Sequence, residues 1–482
     1  MPVVTRENIE LGLKDLGLDA GDMVLLHSSL ASLGHVEGGA DAVVDAFLSV
    51  LGPTGTLVVP TFGALGVITE VVRNRPDAVC SIHPKARVAA IGPAAERLCR
   101  DHWKAELAHG EDTPYVRIAD EGGYVCLLGV DQDRNTTLHT VEELLRLPYL
   151  KETSEVTFET PEGQVTKSWP FFPGPHRDFL GLGAVLEQNG IVHTGRIGDA
   201  TVRLMRSSEL IEFSLDVGRR DPTFVLCDSP FCRDCVKQRA AIRAARFADE
   251  SFRLSVSAQL AGHYAVEIAD RCLALGIGAV ELDGLQGWPL EKVPIAQIEA
   301  AMDAFSEAGL AVSALRLSAI PDTADNILQL AASRNVNRIV APFVCGVGKF
   351  AEAAAAKNVT VSLINTNATS LQVRMALEKL QQKKSNTRLA FSPQAFAAVG
   401  ENPFLKSYRS KLRRFMDQLY IEDVSFDGLP APLGYGNAEI KEIISILRAC
   451  NTPAWFVLAS GNRAVGDLES AVEAFEELLR CI

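Results

Sequence analysis

Residues 251–482 repeat one pattern, in which a short apolar segment is followed by a segment whose apolar residues have helical spacing. Eight of the apolar segments have the length of a buried strand, and this count over a chain of this length suits a (β/α)8 barrel. We therefore expect eight parallel strands, each followed by a helix. The predicted strands are Arg253–Val256, Ala279–Leu282, Ala311–Leu315, Arg338–Pro342, Thr360–Ile364, Arg388–Phe391, Gln418–Ile421 and Trp455–Leu458.

The earlier part of the chain also alternates strands with helices, but less regularly. Met23–His27, Thr56–Pro60 and Gly123–Val130 are apolar enough to form buried strands, and Gly38–Leu51 has helical spacing. This alternation predicts an α/β sheet. We expect two domains, a sheet domain over residues 1–245 and a barrel over residues 251–482.

Charge and histidine are distributed unevenly between these two parts. The first 250 residues contain 25 basic and 36 acidic residues, against 22 and 24 in the remainder, and all nine histidines lie between His27 and His263. We therefore expect two modules with different chemistry. A chain with a net charge of −13 is a poor match for a phosphate backbone, so nucleic acid is not predicted as a partner.

The N-terminal residues lack the basic and apolar regions of a signal peptide. No apolar run approaches the ~20 residues that a membrane helix needs. Most of the ten cysteines lie in apolar surroundings, as Cys126 and Cys345 do, and are predicted to be small core residues. We expect a cytoplasmic protein with reduced thiols and no membrane contact.

The segment His27–Gly34 follows a predicted strand and is rich in small polar residues. Ser28, Ser29 and Ser32 offer hydroxyl groups, and the backbone N–H groups before the next helix are also available. Such a loop can hold a polar or phosphorylated ligand. A solvated turn is the alternative interpretation.

A histidine and a glutamate follow another predicted strand. His139 and Glu142 are three residues apart, so they share a face if Leu138 begins a helix. A carboxylate beside an imidazole fixes the tautomer of the ring and supports it as a general base. The alternative is a histidine at a helix start with an exposed glutamate.

Two further segments contain residues suited to chemistry. The Pro- and Gly-rich segment Phe171–Phe179 brings His176 and Asp178 to a second candidate catalytic position, or is a rigid loop with a capping aspartate. Downstream, three cysteines are closely spaced. They supply three of the four ligands of a structural zinc site, or are reduced thiols in a linker; they are Cys227, Cys232 and Cys235.

The first part of the chain resembles the aminoglycoside 3-N-acetyltransferase family. The segments that carry the resemblance occur in the order that they have in the family. They are His27–Gly34, Glu37–Ala40, Leu51–Thr61, Ser81–Pro84, Gly110–Pro114, Leu127–Val130, Asn135–Glu142 and Gly195–Ala200.

The resemblance implies transfer of an acetyl group from acetyl-CoA to an amine of an aminoglycoside or a related compound. It implies that His139 removes the amine proton, supported by Glu142. A base is needed because a protonated amine has no lone pair with which to attack a thioester, and the acidic charge would attract a cationic acceptor. The implied cofactor-binding residues are His27, Ser28, Ser29, Ser32, Leu33, Gly34, His83, Arg87 and Thr137.

The sequence departs from the family where the acceptor would be expected to bind. Only 19 residues separate Thr61 from Ser81, where family members carry a longer insert. Arg87 and Val88 occupy positions that usually hold Ser and Phe, and Cys80 replaces a usual Arg. The sequence therefore does not identify the acceptor.

Residues 251–482 resemble the xylose isomerase-like barrels of sugar-phosphate isomerases and epimerases, through Leu275–Leu282, Thr360–Asn367, Leu389–Pro393, Leu419–Asp423 and Pro432–Asn437. Active members hold a divalent metal at the strand ends. Glu281 and Asp423 match acidic positions. Other usual ligand positions hold groups that bind metal poorly, namely Asn365, Ser392, Tyr420 and Ala459.

We therefore predict a metal-free barrel that has lost isomerase activity and has a structural role, forms a homo-oligomer or binds a small ligand. Two alternatives to the acetyltransferase stay open from the sequence. The first is an isomerase or epimerase acting in the barrel, and the second is a non-catalytic binding protein.

Overall fold

The computed structural model describes residues 3–63, 65–174, 176–321, 324–383, 385–459 and 467–482. The chain forms two compact units, Met1–Gln238 and Arg239–Ile482. The division falls inside the helix Arg233–Ala248. In the described ranges, every helix is too short or too polar to cross a membrane.

The first unit is built on a seven-stranded mixed sheet with three parallel strands at its centre. These central strands are buried along almost their whole length, which explains why they read as continuous apolar runs rather than as alternating patterns. Antiparallel strands flank them on both sides. The order across the sheet is His193–Ile197, Ala200–Arg206, Tyr124–Leu128, Met23–Ser28, Thr56–Pro60, Val88–Ile91 and Val79–Cys80.

Helices cover this sheet. The helix Gly39–Leu51 packs an apolar face that includes Val43 and Phe47 into the core of the unit. Two small antiparallel pairs, Lys151–Glu152 with Pro170–Phe171 and Val156–Thr160 with Gly163–Lys167, stand apart from the main sheet. The remaining helices are Arg6–Asp15, Val67–Asn74, Ala95–Cys99, Pro114–Asp120, Thr137–Leu144, Phe179–Gln188 and Ser207–Arg220.

The second unit is a closed barrel of eight strands, and every neighbouring pair is parallel. All eight predicted strands are confirmed, and no bound differs from the prediction by more than two residues. The strands are Arg253–Ser257, Ala279–Leu282, Ala311–Arg316, Arg338–Pro342, Thr360–Ile364, Thr387–Phe391, Met416–Ile421 and Trp455–Leu458.

Helical segments follow each barrel strand and bury their apolar faces in one continuous core. One of them, Pro403–Leu412, is a π-helix. The others are Ala258–Ala261, Ala265–Ala274, Ile295–Ala308, Ala324–Ser333, Val347–Ala356, Ser370–Gln382, Pro393–Ala398, Ile440–Ala449 and Leu468–Arg480.

Glu281 is a fully buried carboxylate inside the barrel. It accepts hydrogen bonds from Gln418 Nε2 at 2.6 Å and from the Tyr420 hydroxyl at 2.9 Å, and Arg316 Nη1 lies 3.8 Å from its Oε1. Gln418 and Tyr420 belong to a strand that is not a neighbour of the Glu281 strand in the ring. These hydrogen bonds therefore cross the barrel interior and join strands that are three places apart in the ring.

Side chains at positions where active isomerases hold metal ligands make hydrogen bonds within the barrel unit instead. Asn365 closes its own turn through both ends of its side-chain amide, at 2.8 and 2.9 Å. Ser392 caps the helix that follows it, and Tyr420 donates to Glu281. Asp423 accepts hydrogen bonds from four backbone N–H groups. The loss of the isomerase reaction stays a prediction.

The buried Glu281 makes a prediction about stability and pH. Burial raises the pKa of Glu281 from 4.5 to about 7. The stability that comes from tighter proton binding at Glu281 in the folded state is therefore complete below pH 4.5. It is lost as the pH rises to 7, because the Glu281 carboxyl ionises at lower pH in the unfolded chain. Glu281→Gln removes this dependence. Between pH 5 and pH 7 we expect the free energy of unfolding of E281Q to gain about 2–3 kcal/mol relative to the wild type.

Urea denaturation of the full chain at pH 5, 6 and 7 measures this difference. Glu307 is an exposed glutamate on a helix of the same unit, and Glu307→Gln should follow the wild type at every pH. A constant difference between E281Q and the wild type over this range would contradict the prediction.

Candidate functional site

The topology of the first unit opens a crevice at the carboxyl ends of its parallel strands. From Met23–Ser28 the chain passes to Thr56–Pro60 on one side and later returns as Tyr124–Leu128 on the other side. Ligands of open α/β sheets bind at such a switch of direction. A cavity of ≈ 570 Å³ lies here, and we call it the strand-end cleft. Its lining residues are Leu26, His27, Ser28, Pro60, Phe62, Leu65, Thr69, Val130, Asp133, Arg134, Asn135, Thr136, His139, Phe171 and Phe172.

The helix Thr137–Leu144 begins at the edge of this cleft. Asn135 fixes the start of the helix, because its Oδ1 accepts a hydrogen bond from the Thr137 N–H at 3.1 Å while its Nδ2 donates to Gln132 at 2.8 Å. The predicted helix is confirmed, and it places His139 at the cleft.

His139 and Glu142 form a close pair on this helix. The distance between His139 Nδ1 and Glu142 Oε2 is 2.6 Å. The Glu142 side chain is fully buried, whereas that of His139 is 20% exposed. The alternative of a helix-start histidine with an exposed glutamate is therefore wrong for Glu142.

Glu142 receives two further donors, and neither was predicted from the sequence. The Tyr149 hydroxyl donates to Glu142 Oε1 at 2.6 Å, and Arg177 Nε donates to the same oxygen at 2.5 Å. Burial acts to raise the pKa of Glu142, but the bonds and charges of His139, Arg177 and Tyr149 outweigh it and hold the pKa below its usual value. Glu142 is therefore ionised at neutral pH.

His139 is enclosed by aromatic rings. Phe172 stacks on it with ring centroids 3.5 Å apart and an interplanar angle of 5°, and Phe179 meets it edge-on at 5.0 Å. Burial lowers the pKa of His139, and the hydrogen bond and charge of Glu142 only partly offset this effect. The ring is therefore neutral at pH 7.

The ionisation state of Glu142 determines which nitrogen of His139 carries the proton. An ionised carboxylate can only accept, so Nδ1 must donate to it. In a neutral ring, Nε2 then has a free lone pair. The pair thus presents a proton acceptor beside the strand-end cleft.

A second histidine–glutamate pair lies next to the first. Glu143 accepts a hydrogen bond from the backbone N–H of His109 at 2.7 Å, and its other oxygen lies 3.2 Å from His109 Nδ1. Both side chains are buried, and the rings of His109 and His139 are 6.0 Å apart. Successive glutamates therefore bind two different histidines.

The structure brings only part of the predicted cofactor-binding set to the cleft. His27 and Ser28 line it, and His27 Nε2 is buried without a partner among the described residues. Burial lowers the pKa of His27 to about 3, so this ring is neutral. Ser32 donates to Ser29 at 2.9 Å within a short 3-10 turn.

The other predicted cofactor-binding residues have structural contacts. Leu33 is buried in the core, and Gly34 has a φ of 85°, which favours glycine. His83 Nδ1 accepts the backbone N–H groups of two following residues at 3.1 and 2.9 Å. Arg87 donates to the Thr61 carbonyl at 3.2 Å. His83 Nε2 and Thr137 Oγ1 are buried without a hydrogen-bond partner among the described residues. The sequence grouped these residues through the family pattern.

The two candidate catalytic residues of the segment Phe171–Phe179 lie in different surroundings. Asp178 caps the helix Phe179–Gln188, where it accepts the Gly181 N–H at 3.1 Å. His176 lies beside Cys232 and Cys235, with Nδ1···Sγ distances of 3.4 and 3.3 Å. Within the described ranges, neither residue lines the strand-end cleft. The residue between them, Arg177, is the one that reaches Glu142.

Comparisons with known proteins identify relatives of the first unit. Residues 25–65 and 63–217 match the family model described as aminoglycoside 3-N-acetyltransferase. Aminoglycoside N(3)-acetyltransferase IV from Salmonella sp is 30% identical over 232 residues, which cover 44% of this chain and 87% of that protein. Aminoglycoside N(3)-acetyltransferase VIII from Streptomyces fradiae is 29% identical over 265 residues, covering 44% of this chain and 91% of that protein.

A crystal structure of the aminoglycoside acetyltransferase AAC(3)-IVa in complex with apramycin is also similar. It is 28% identical, with a TM-score of 0.44, and the alignment covers 49% of this chain and 99% of that chain.

The chain belongs to the aminoglycoside 3-N-acetyltransferase family and is an acyltransferase. The match to the family model ends at residue 217, before the barrel begins. The resemblance of the barrel to isomerases therefore stays a prediction.

Arg177 makes a prediction about the pKa of His139. The Arg177 charge lowers the pKa of His139 and also lowers that of Glu142. With Arg177→Met we expect the pKa of His139 to rise, because a positive neighbour is removed while Glu142 remains. Nuclear magnetic resonance titration of the labelled histidine ring measures this shift directly.

Arg146 offers a matched control, because its ion pair with Glu106 is exposed. Arg146→Met should leave the titration of His139 unchanged. An unaltered His139 pKa in the folded R177M variant would show that Arg177 does not tune the pair.

Proposed function

We propose that the protein transfers the acetyl group of acetyl-CoA to an amine of an aminoglycoside, with His139 as the general base. The observation that carries this proposal is the 2.6 Å pair of His139 with a buried Glu142 beside the strand-end cleft. Similarity to aminoglycoside N(3)-acetyltransferases supports the reaction class. The His139–Glu142 pair supports the assignment of His139 as the base.

The reaction that we propose needs no covalent enzyme intermediate. The amine nitrogen attacks the thioester carbonyl, and His139 Nε2 accepts the amine proton as the N–C bond forms. The C–S bond then breaks, and the proton passes to the CoA thiolate. Glu142 holds the tautomer of His139 and stabilises the imidazolium. Catalysis depends on holding two substrates in attack geometry.

The loop that follows the strand Met23–Ser28 supports the CoA part of the proposal. Ser28, Ser29 and Ser32 are partly exposed, and Ser28 lines the strand-end cleft. The loop can therefore bind the pantetheine and phosphate groups with hydroxyls and backbone N–H groups.

The short segment after Thr61 supports an acceptor site in the same cleft. Leu65 and Thr69 line the cleft here, and Thr69 belongs to the helix Val67–Asn74. This helix occupies the region where the sequence is shorter than its family pattern. We infer that this helix walls the acceptor site.

The base assignment predicts the effect of two substitutions. With His139→Ala or Glu142→Gln we expect turnover to fall by about 10²–10⁴-fold, because proton removal is lost or the ring is left in the wrong tautomer. Release of free thiol from acetyl-CoA against a panel of aminoglycosides and simple amines measures the rate.

The exposed His193, on an edge strand of the same sheet, provides the control. His193→Ala should keep wild-type turnover. If His139→Ala also kept it, His139 would not be the base.

The protonation state of His139 predicts the pH profile. The base must be neutral, so kcat should fall as the pH drops through the pKa of His139, which burial holds below 6.5. In the Glu142→Gln variant the carboxylate that raises this pKa is gone. We expect its residual activity to fall off at still lower pH, whereas a fall at the same pH or higher would assign the limb to another group.

A further inference from the structure

The sequence places three cysteines close together, and the structure adds a histidine. His176, Cys227, Cys232 and Cys235 each offer one ligand atom, and these atoms all lie within 4.8 Å of one another. Among the residues that the structure describes, this is the one cluster of three or more His, Cys, Asp or Glu side chains of this kind. We call it the Cys3His cluster.

Two distances in the cluster are close to the edges of a tetrahedral zinc site. With Zn–S near 2.3 Å and Zn–N near 2.0 Å, tetrahedral geometry requires N···S distances of about 3.5 Å and S···S distances of about 3.8 Å. His176 Nδ1 lies 3.3 Å from Cys235 Sγ and 3.4 Å from Cys232 Sγ. All four ligand atoms lie within 4.8 Å of one another, so contraction by about 1 Å or less would place them around one ion.

The donor set selects the metal. Thiolates with a single imidazole favour zinc, whereas magnesium, calcium and manganese prefer oxygen ligands. Four protein ligands leave no open position for a substrate or a catalytic water, which is typical of a structural site. Such a site stabilises the segments that it joins rather than taking part in chemistry.

The two segments that carry the ligands already contact each other on both sides of His176. Gln238 Nε2 donates to the Pro173 carbonyl at 3.0 Å, and the Asp178 N–H donates to the Val225 carbonyl at 2.8 Å. Backbone and side-chain contacts therefore bring the ligand segments together, and the metal would lock them.

Gly174 shows how closely the segments approach. A Cβ at this position would lie 2.8 Å from the carboxyl carbon of Asp234, and Gly174 has a φ of 75°. Only glycine fits such an approach without displacing its neighbour. The loop is thus shaped for contact with the first turn of the helix Arg233–Ala248.

We propose that His176, Cys227, Cys232 and Cys235 bind one zinc ion, and that this ion holds Phe172 and Arg177 in place beside the proposed catalytic pair. The second half of this proposal rests on the function proposed above. Arg177, which donates to Glu142, directly follows the ligand His176, and Phe172 stacks on His139. Arg177 and Phe172 are therefore positioning residues whose placement depends on the metal site.

The metal is tested first, without any activity measurement. Full-length protein purified with reducing agent should contain about one zinc per chain by elemental analysis. After exchange with Co²⁺ it should show the near-ultraviolet thiolate charge-transfer bands and the intense visible bands of a tetrahedral site. Zinc well below one equivalent together with no thiolate bands after Co²⁺ addition, or a disulfide within the cluster, would overturn the proposal.

Variants assign the ligands. Cys232→Ser and His176→Ala should lose the zinc or weaken its binding by at least tenfold, and His176→Cys should retain it as a four-thiolate site. Cys80 is an exposed cysteine of the same unit, and Cys80→Ser serves as the control with full metal content. If Cys232→Ser and His176→Ala both bound zinc as tightly as Cys80→Ser, the assignment of these ligands would be wrong.

The positioning role is tested separately with metal-free protein that has kept its fold by circular dichroism. We expect kcat to fall by about tenfold or more, with restoration by added zinc, because misplacement of the supporting residues disturbs the attack geometry. The titration of His139 should move in the same direction as in Arg177→Met. If the purified protein contained full zinc and the titration of His139 stayed unchanged after the zinc was removed, the positioning role would be wrong. If His139→Ala kept wild-type turnover while zinc was bound, the proposed function and the positioning role that rests on it would fail, and the zinc site would stand.

Discussion

The rest of the site depends on the hydrogen bonds that the buried Glu142 carboxylate accepts. An ionised group without exposure to water costs several kcal/mol unless hydrogen bonds replace its hydration. Three donors provide this compensation, His139 on the same helix, Tyr149 just beyond it and Arg177 on a distant loop. These segments must therefore meet at one point in the folded chain. Placement of Arg177, which directly follows His176, is the requirement that connects the His139–Glu142 pair to the Cys3His cluster.

The sequence predicted the parts of this arrangement that are local. The spacing of His139 and Glu142 on one helix and the apolar strands beneath them were evident, because period and spacing are properties of neighbouring residues. Arg177, Tyr149 and Phe172 were missed. Their signal is a contact made by the fold, and nothing in the residues beside them marks it. His176 was predicted as catalytic, and the structure places it beside cysteines more than fifty residues away.

The barrel shows the same division between what is local and what is not. Its eight strands were predicted from their regular spacing, since a closed parallel ring leaves a strong repeat in the sequence. The interior was harder to predict. Tyr420 was interpreted only as the absence of a metal ligand, whereas it donates to Glu281 across the lumen. A side chain inside a barrel is chosen by partners on other strands, so a motif read along one strand does not reveal its role.

The stacking of Phe172 on His139 has a further consequence for the charged form of the ring. In the resting state this contact excludes water from a neutral imidazole. Once His139 has accepted a proton, the same contact places an imidazolium flat against the electron-rich face of an aromatic ring. The cation is then held between the Glu142 carboxylate at Nδ1 and the Phe172 ring. Loss of water at this contact disfavours the imidazolium, whereas the aromatic face attracts it, so the two effects of Phe172 on the pKa of His139 oppose each other. The net effect of the surroundings still lowers that pKa.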